Sequence, residues 1–478
     1  MNLKTAALLS LAITILVSVL KSNGDEDIVL GLLLPFSGER PIGRYIAGAM
    51  TIAVEVINNN DTLLPGRNLS FVWNDTECVG KVGLHETVDL FLTVRKLHGF
   101  IGGGCDEVCE PSGLLASAWN LPMVSWGCSS IHLSSKDTYN TLARTVGPYN
   151  KMAPLFSKVM QHYGWTRAYI FTSSESVWQT ASFSVKLNLE ANGISVAGFV
   201  TFNPGNENIH GRETFSKLEI VKAAKDLSRI MLLFGYGADI RDLMLNAYDI
   251  GMTEGGYAFI CVDILEDAHL SANTWMEGDG RDEEAIRAFN GILNVHIKTP
   301  EGDRYDAFAE RVREQTGMEP FNRPMLKDEE VDVHAGTLYD AVVLYALGLH
   351  DVISEGGDEY DGAAIGVKMR NRQFVGIDNY VTIDDSGDRD PDYALQDFHD
   401  SRFEDFVHYD HITKELTFTP NFLPTWPGGE TTPPKGEPDC GWDEEHCQSN
   451  TETIIIIISC CVFTLAVAGS SVVVFFYR

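Results

Sequence analysis

This 478-residue chain is short of positive charge: Lys and Arg number 36 against 67 Asp and Glu, a formal net charge of −31. Such an acidic surface repels nucleic acid and anionic lipid, which excludes both as docking partners and favours a basic one. Catalytic signatures are missing too. The sequence has no Gly-x-Ser-x-Gly elbow, no Walker loop, no His-Glu-x-x-His pair, and neither His-Arg-Asp nor Asp-Phe-Gly. No enzyme activity and no organic cofactor is therefore expected of these residues. No histidine pair at ligand spacing accompanies the cysteines, so zinc is excluded and no metal site is expected. Asp384-Asp-Ser-Gly-Asp-Arg-Asp390 lacks the spacing and terminal Glu of an EF-hand and reads as a solvated hairpin turn. His408-Tyr-Asp-His411 reads as a polar turn between strands. Internal repeats are absent.

What the chain does have is two uncharged apolar runs, one near each end. Ile454 to Tyr477 carries no charge. At about 1.5 Å per residue such a helix covers roughly the 30 Å hydrocarbon core. Near the other end, Lys4 precedes a shorter run from Ala6 to Leu20 and then Lys21-Ser-Asn-Gly, the pattern of a cleaved secretory signal over 1–23. Together they predict a type I single-pass protein of the plasma membrane with its N-terminal region outside. Residues 424–453 form a juxtamembrane stretch whose Pro-rich part, Pro424 to Pro438, reads as a stiff stalk. Ala466-Val-Ala-Gly-Ser470 offers a small-residue face for helix pairing.

An oxidising route agrees with three sequons, at Asn60, Asn68 and Asn74, clustered as on an exposed glycan-bearing face. Of nine cysteines, Cys460 and Cys461 lie in the membrane run, leaving seven outside. An odd number leaves one over, expected at Cys261 in the buried-strand pattern Tyr-Ala-Phe-Ile-Cys-Val-Asp. Cys440 and Cys447 are isolated from the others and should close a small loop. Cys78, Cys105, Cys109 and Cys128 allow three connectivities.

The intervening region, about 430 residues, exceeds what one core organises, so two lobes are expected. Ile28-Val-Leu-Gly-Leu-Leu-Leu34 is a continuous apolar run of the kind that is covered on both faces. Similar runs recur at Leu69–Trp73, Phe100-Ile101, Pro122–Ser125, Ala168–Phe171, Val196–Phe202, Ile230–Phe234 and Tyr257–Val262. Helical spacing lies between them, at Tyr45–Asn58, Ala153–Tyr163, Glu213–Asp226 and Ala238–Asp249, and later at Val331–Ile353. Alternation of this kind predicts parallel sheets built from crossover units, α/β in class. Beyond Phe374 short alternating strands take over. Ligands of doubly wound sheets bind at the carboxyl ends of the strands, so two facing lobes make a clamp.

A specific resemblance now becomes visible. Gly102-Gly-Gly-Cys-Asp-Glu-Val-Cys-Glu-Pro111, Leu115-Ala-Ser-Ala-Trp-Asn-Leu-Pro-Met-Val-Ser125, Ala143-Arg-Thr-Val-Gly-Pro148 and His162-Tyr-Gly-Trp165 resemble the natriuretic-peptide and egg-peptide receptor guanylyl cyclases. Tyr339-Asp-Ala-Val-Val-Leu-Tyr345, Ile383-Asp-Asp-Ser-Gly-Asp-Arg389 and Pro438-Asp-Cys-Gly-Trp-Asp443 continue the likeness. It runs from about Ile28 through Arg478. The resemblance implies a type I periplasmic-binding-protein-like fold. Lobe 1 would take about 27–145 and 290–372, and lobe 2 about 146–289 and 373–423, within a ligand-binding region of 24–423; the membrane helix would be 454–477. It implies a homodimeric receptor for an extracellular peptide. It pairs Cys78 with Cys105 and Cys109 with Cys128, and cysteines for a second far-lobe disulfide of the family are missing.

The glycine turn Gly102 to Cys105 points backbone N–H groups into the start of a helix, a possible anion nest, or else a turn that lets strand and helix pack closely. In similar receptors a chloride is held at the positions of Thr76, Gly104 and Cys105. Hormone-contacting aromatics of the family fall on Glu107, Phe171 and Ser173, and its dimer-interface residues on Thr93, Leu115 and Ala118. Those departures argue against a natriuretic peptide as ligand while leaving peptide binding open, since loops carry specificity. The expected function is a receptor ectodomain that senses an extracellular peptide, as the sensor part of a receptor guanylyl cyclase whose enzyme would lie beyond Arg478. A clearance-type peptide receptor and an amino-acid-sensing relative are the alternatives.

Overall fold

The computed structural model describes residues 27–38, 40–204, 216–262, 275–298, 300–327, 329–377, 379–399, 402–442, 447, 458, 459 and 462. The expected signal segment, and the membrane run apart from 458, 459 and 462, lie outside the described residues.

Five strands build the first sheet: β1 (Ile28–Leu34), β2 (Leu69–Asp75), β3 (Leu97–Gly102), β4 (Met123–Ser125) and β5 (Leu142–Arg144), in the order β2-β1-β3-β4-β5. All neighbours are parallel. The apolar run of β1 is buried because both faces are covered. One face carries the helices Gly48–Asn58, Asp303–Thr316, His334–Ser354 and Gly362–Met369, the other Gly80–Thr93 and Asp106–Ala118. The His334–Ser354 helix is long and apolar enough to cross a membrane, yet 72% of its apolar window is buried. Leu338, Val342, Tyr345 and Leu349 place it in the core of this lobe.

The second sheet begins with β6 (Arg167–Ser173), β7 (Ser195–Phe202), β8 (Ile230–Phe234), β9 (Ala258–Val262) and β10 (Ile292–Ile297), all parallel. After a hairpin of β11 (Arg372–Val375) and β12 (Tyr380–Ile383), three antiparallel strands complete it: β13 (Tyr393–His399), β14 (Arg402–Tyr409) and β15 (Leu416–Phe418). The order is β15-β14-β13-β10-β9-β8-β6-β7. Helices Ala153–His162 and Ser176–Ala191 cover one face; Lys217–Lys225, Gly237–Asp249 and Asp282–Phe289 cover the other. The Lys217–Lys225 helix starts at a capping box: Glu219 N–H donates to Ser216 Oγ (3.3 Å) and Ser216 N–H to Glu219 Oε2 (2.8 Å).

Two lobe boundaries and one segment differ from the sequence expectation. β10 belongs to the second sheet, so 290–297 is not part of lobe 1: buried Leu293 and Val295 pack in the second core. The β11–β12 hairpin packs Phe374, Val381 and Ile383 into the first core, so lobe 2 does not resume at 373. The Pro-rich stretch is no free stalk. Trp426 is 1% exposed within the second core, where its ring meets those of Tyr163 and Trp165 edge-on. Trp165 Nε1 donates to Pro434 O at 2.8 Å, and Arg167 lies 4.8 Å over the Trp442 ring. Burial of Trp426 outweighs the extended preference of the prolines, and 424–442 is strapped along lobe 2.

Polar contacts tie the connections between the lobes. Arg144, fully buried at the end of β5, donates from Nε to Asp388 Oδ1 (2.6 Å), from Nη1 to Cys128 O and Ser130 O, and from Nη2 to Ser134 Oγ (2.7 Å). Lys151 bridges Asp384 (2.6 Å) and Asp390. The Asp384–Asp390 turn is thus held by cations of the chain itself, and no cluster of metal-ligating side chains stands among the described residues.

Candidate ligand site

Three disulfides form, Cys78–Cys105, Cys109–Cys128 and Cys440–Cys447. Cys261 stands outside them, buried in β9 with its thiol 3.5 Å from Asn294 Oδ1.

The carboxyl end of β1 organises the glycine turn. Gly103 N–H donates to Leu33 O (3.2 Å) and Thr76 N–H to Leu34 O (3.1 Å), so the turns leaving β3 and β2 flank one strand end. Gly103 has φ +83°, a left-handed conformation suited to glycine. A Cβ on Gly104 would sit 2.2 Å from the Trp126 ring. Cys105 then caps the helix Asp106–Ala118 without a side-chain hydrogen bond, and its disulfide draws the Thr76 turn close. The Thr76 hydroxyl is buried and has no hydrogen-bond partner among the described residues. An orphaned hydroxyl in a turn that the Cys78–Cys105 disulfide ties to a helix start is compatible with a small anion. Thr76, Gly104 and Cys105 are the residues that would hold it.

Across this turn the two lobes enclose a cavity of about 380 Å³. Lobe 1 contributes Arg40, Asp106, Glu107 and Glu110; lobe 2 contributes Tyr149, Asn150, Glu175 and Tyr236. The Arg40 guanidinium lies 5.2 Å over the Tyr236 ring, bridging the lobes. Asp106 Oδ1 accepts from Ser129 and Ser130 N–H, both at 2.9 Å. Burial nevertheless pushes its carboxyl up to about 6, against those amides and Arg144. Burial also raises Glu175, with Asp239 and Glu107 adding to it while Ser173 and Arg40 oppose. Tyr149 is raised well above its ordinary value, first by burial and then by Asp106 and Tyr236.

Of the residues singled out for ligand contact, Glu107 lines this cavity. Ser173 is buried behind it, donating to Glu175 Oε2 at 3.2 Å. Phe171 is 1% exposed in the second core against Tyr169, so it cannot touch a ligand in the cavity. Arg40, Tyr149, Glu175 and Tyr236 were not picked out by residue type. Glu175 and Tyr236 each follow a strand's carboxyl end, after β6 and β8, and that position was the available signal. Asn60 and Asn68 are exposed. Asn74 is half-buried in β2, its Nδ2 donating to Glu86 Oε2 (2.7 Å) and Asp89 Oδ2 (3.3 Å), and a glycan would replace one of those two amide hydrogens.

Two wound lobes with a cavity at their strand ends define a periplasmic-binding-protein-like receptor module. Residues 46–401 match the family described as "Receptor family ligand binding region", and the chain belongs to that family. It is 27% identical over 357 residues to the mouse protein named atrial natriuretic peptide receptor 3, covering 73% of this chain and 64% of that one. To mouse guanylate cyclase 2G it is 24% identical over 466 residues, 93% of this chain and 40% of the relative. To Drosophila melanogaster guanylate cyclase 32E it is 25% identical over 447 residues, 88% and 36%. The chain thus spans less than two thirds of the length of these relatives.

Proposed function

We propose that this chain is the sensing part of a single-pass receptor at the plasma membrane, which binds an extracellular peptide and passes the event inward, as the sensor of a receptor guanylyl cyclase. The observation that carries the reading is the cavity closed by residues of both lobes at their strand ends. A ligand held there has contacts with both halves and biases their relative position, which is the requirement for a conformational signal. The names of the relatives support a peptide ligand and a cyclase partner domain.

A homodimer is supported by an exposed apolar face on the paired helices Gly80–Thr93 and Asp106–Ala118. Leu84, Leu92 and Leu114 are exposed there, Leu92 by 74%, and Phe91 stacks on Trp119 with ring centres 3.9 Å apart. A structural chloride on Thr76, Gly104 and Cys105 is part of the same reading. The test is a binding screen of the surface-expressed chain against basic peptides and free amino acids. Saturable binding of amino acids with none of peptides refutes the peptide reading. For the cyclase, the transcript should continue past the Arg478 codon into kinase-like and cyclase segments; a stop codon within some tens of codons rejects that part.

A further inference from the structure

The interlobe cavity has an unbalanced lining. Four carboxylates face it, Asp106, Glu107, Glu110 and Glu175, against one guanidinium, Arg40, which is already laid on Tyr236. Asp106 is satisfied by two backbone amides. Glu110 and Glu175 each have one oxygen taken, by Ser130 Oγ at 2.8 Å and Ser173 Oγ at 3.2 Å. Among the described residues no hydrogen bond reaches Glu107. A separate observation points the same way: Asn150 Oδ1, on the cavity wall, is an occluded acceptor with no hydrogen-bond partner among the described residues. The wall therefore carries an excess of negative charge, although hydroxyls and the histidines His132 and His334 also line it. Arg40 is the one guanidinium that Glu107 and Glu175 share, and a cationic ligand would relieve the repulsion that a single counter-charge leaves between them.

We propose that this cavity binds an organic cation, an alkylammonium or guanidinium group, held between Glu107 and Glu110 of lobe 1 and Glu175 of lobe 2. This rests on the reading of the cavity as a ligand site and adds the chemistry of what enters it. The volume, about 380 Å³, falls in the range of small-molecule sites, roughly 300–1,000 Å³. The Tyr149 and Tyr236 rings line the cavity too, and the Tyr236 face already holds one guanidinium, that of Arg40. Bound there, the cation replaces repulsion between Glu107 and Glu175 with a shared attraction, so it draws the lobes together. A free amino acid fits less well, because its carboxylate would meet four carboxylates, with Arg40 the one guanidinium on the wall to oppose them. The cation has two possible sources, the basic side chain of an extracellular peptide or a free small amine.

Isothermal titration of the purified full chain with butylguanidinium, butylammonium and butyrate tests this directly. Both cations should bind saturably and butyrate should not. Glu107→Gln and Glu175→Gln should each weaken the cations about 10-fold or more, the loss of one charged hydrogen bond. Glu283→Gln, an exposed carboxylate remote from the cavity, should leave binding unchanged. Butyrate or glycine binding as tightly as the cations overturns the proposal on the unmutated protein, whatever the variants do. Equal cation affinity in a folded Glu107→Gln/Glu175→Gln protein overturns it too. A basic peptide that competes with butylguanidinium identifies peptide as the source, while cation binding that no such peptide displaces identifies a free amine. Peptide binding that is indifferent to both cavity variants, together with no saturable binding of either cation, sinks this proposal and leaves the peptide receptor standing.

Discussion

Replacing Arg144 by Met removes a guanidinium with no exposed surface and four hydrogen-bond acceptors, Asp388, Cys128 O, Ser130 O and Ser134. Methionine fills most of the space, so the dominant effect is electrostatic. Asp388, 1% exposed, keeps only the Ser134 hydroxyl (2.6 Å) and the Lys136 charge. Stranding one member of a buried pair costs about 3–5 kcal/mol, a large part of a folding stability of about 5–15 kcal/mol. In Arg144→Met/Asp388→Asn no charge is left stranded, so the double variant should be more stable than the sum of the singles by about 1–3 kcal/mol. Chemical denaturation of the four proteins at neutral pH measures this. The pH dependence has a definite sign. Burial pushes Asp388 up, but Arg144 and Ser134 more than reverse it, and the folded carboxyl lies below its ordinary value. The pair's contribution is therefore present above about pH 4, near the unfolded value, and is lost as pH falls through the folded one. A coupling below about 0.5 kcal/mol in the double-mutant cycle would refute the view that this pair locks the joint between the lobes.

Trp426→Ala should cost about 3–5 kcal/mol and expose 424–442 to limited proteolysis; unchanged cleavage would show that the strap does not depend on that ring. Thr76→Val should abolish any rise in melting temperature on exchanging gluconate for chloride at constant ionic strength, and an equal rise in wild type and variant removes Thr76 from the anion site. Gly104→Ala drives a methyl into Trp126 and should destabilise by about 1–3 kcal/mol, seen as an earlier melting transition. Asp106 is raised to about 6, so its contribution is full below about pH 4 and lost as pH rises through about 6; wild-type stability measured against Asp106→Asn should show that window, and parallel pH profiles would exclude it.

Much of the architecture was legible because burial on both faces writes itself as uninterrupted apolar runs, as in β1 and β8. β10 was not. Its Ile-Leu-Asn-Val-His-Ile sequence carries Asn294 and His296 into the sheet, where Asn294 Nδ2 donates to Gln396 Oε1 (2.9 Å) and His296 Nε2 meets Asp405 Oδ1 (2.9 Å). Polar residues that are satisfied by partners far along the chain break the hydropathy pattern. Gln396 and Asp397 interrupt β13 in the same way; the boundary near 290 was displaced by β10, and the one near 373 by the β11–β12 hairpin, whose short strands do not say which lobe they pack on. Glu107 was reached only through the family position that falls on it, and it lines the cavity. Phe171 was misplaced because a family position says nothing of which face of β6 a side chain takes. Arg40 and Tyr236 meet only through the folded chain.

The strap of 424–442 gives lobe 2 a mechanical character of its own. A flexible tether transmits tension but no torque, since slack absorbs every rotation. Here Trp426 is anchored in the core, Trp165 grips Pro434, and Trp442 lies against Arg167. The compliance of the link is therefore that of a packed interior, and the lobe and its trailing segment turn as one lever. A few degrees of lobe rotation would arrive at residue 442 as displacement rather than as uncoiling.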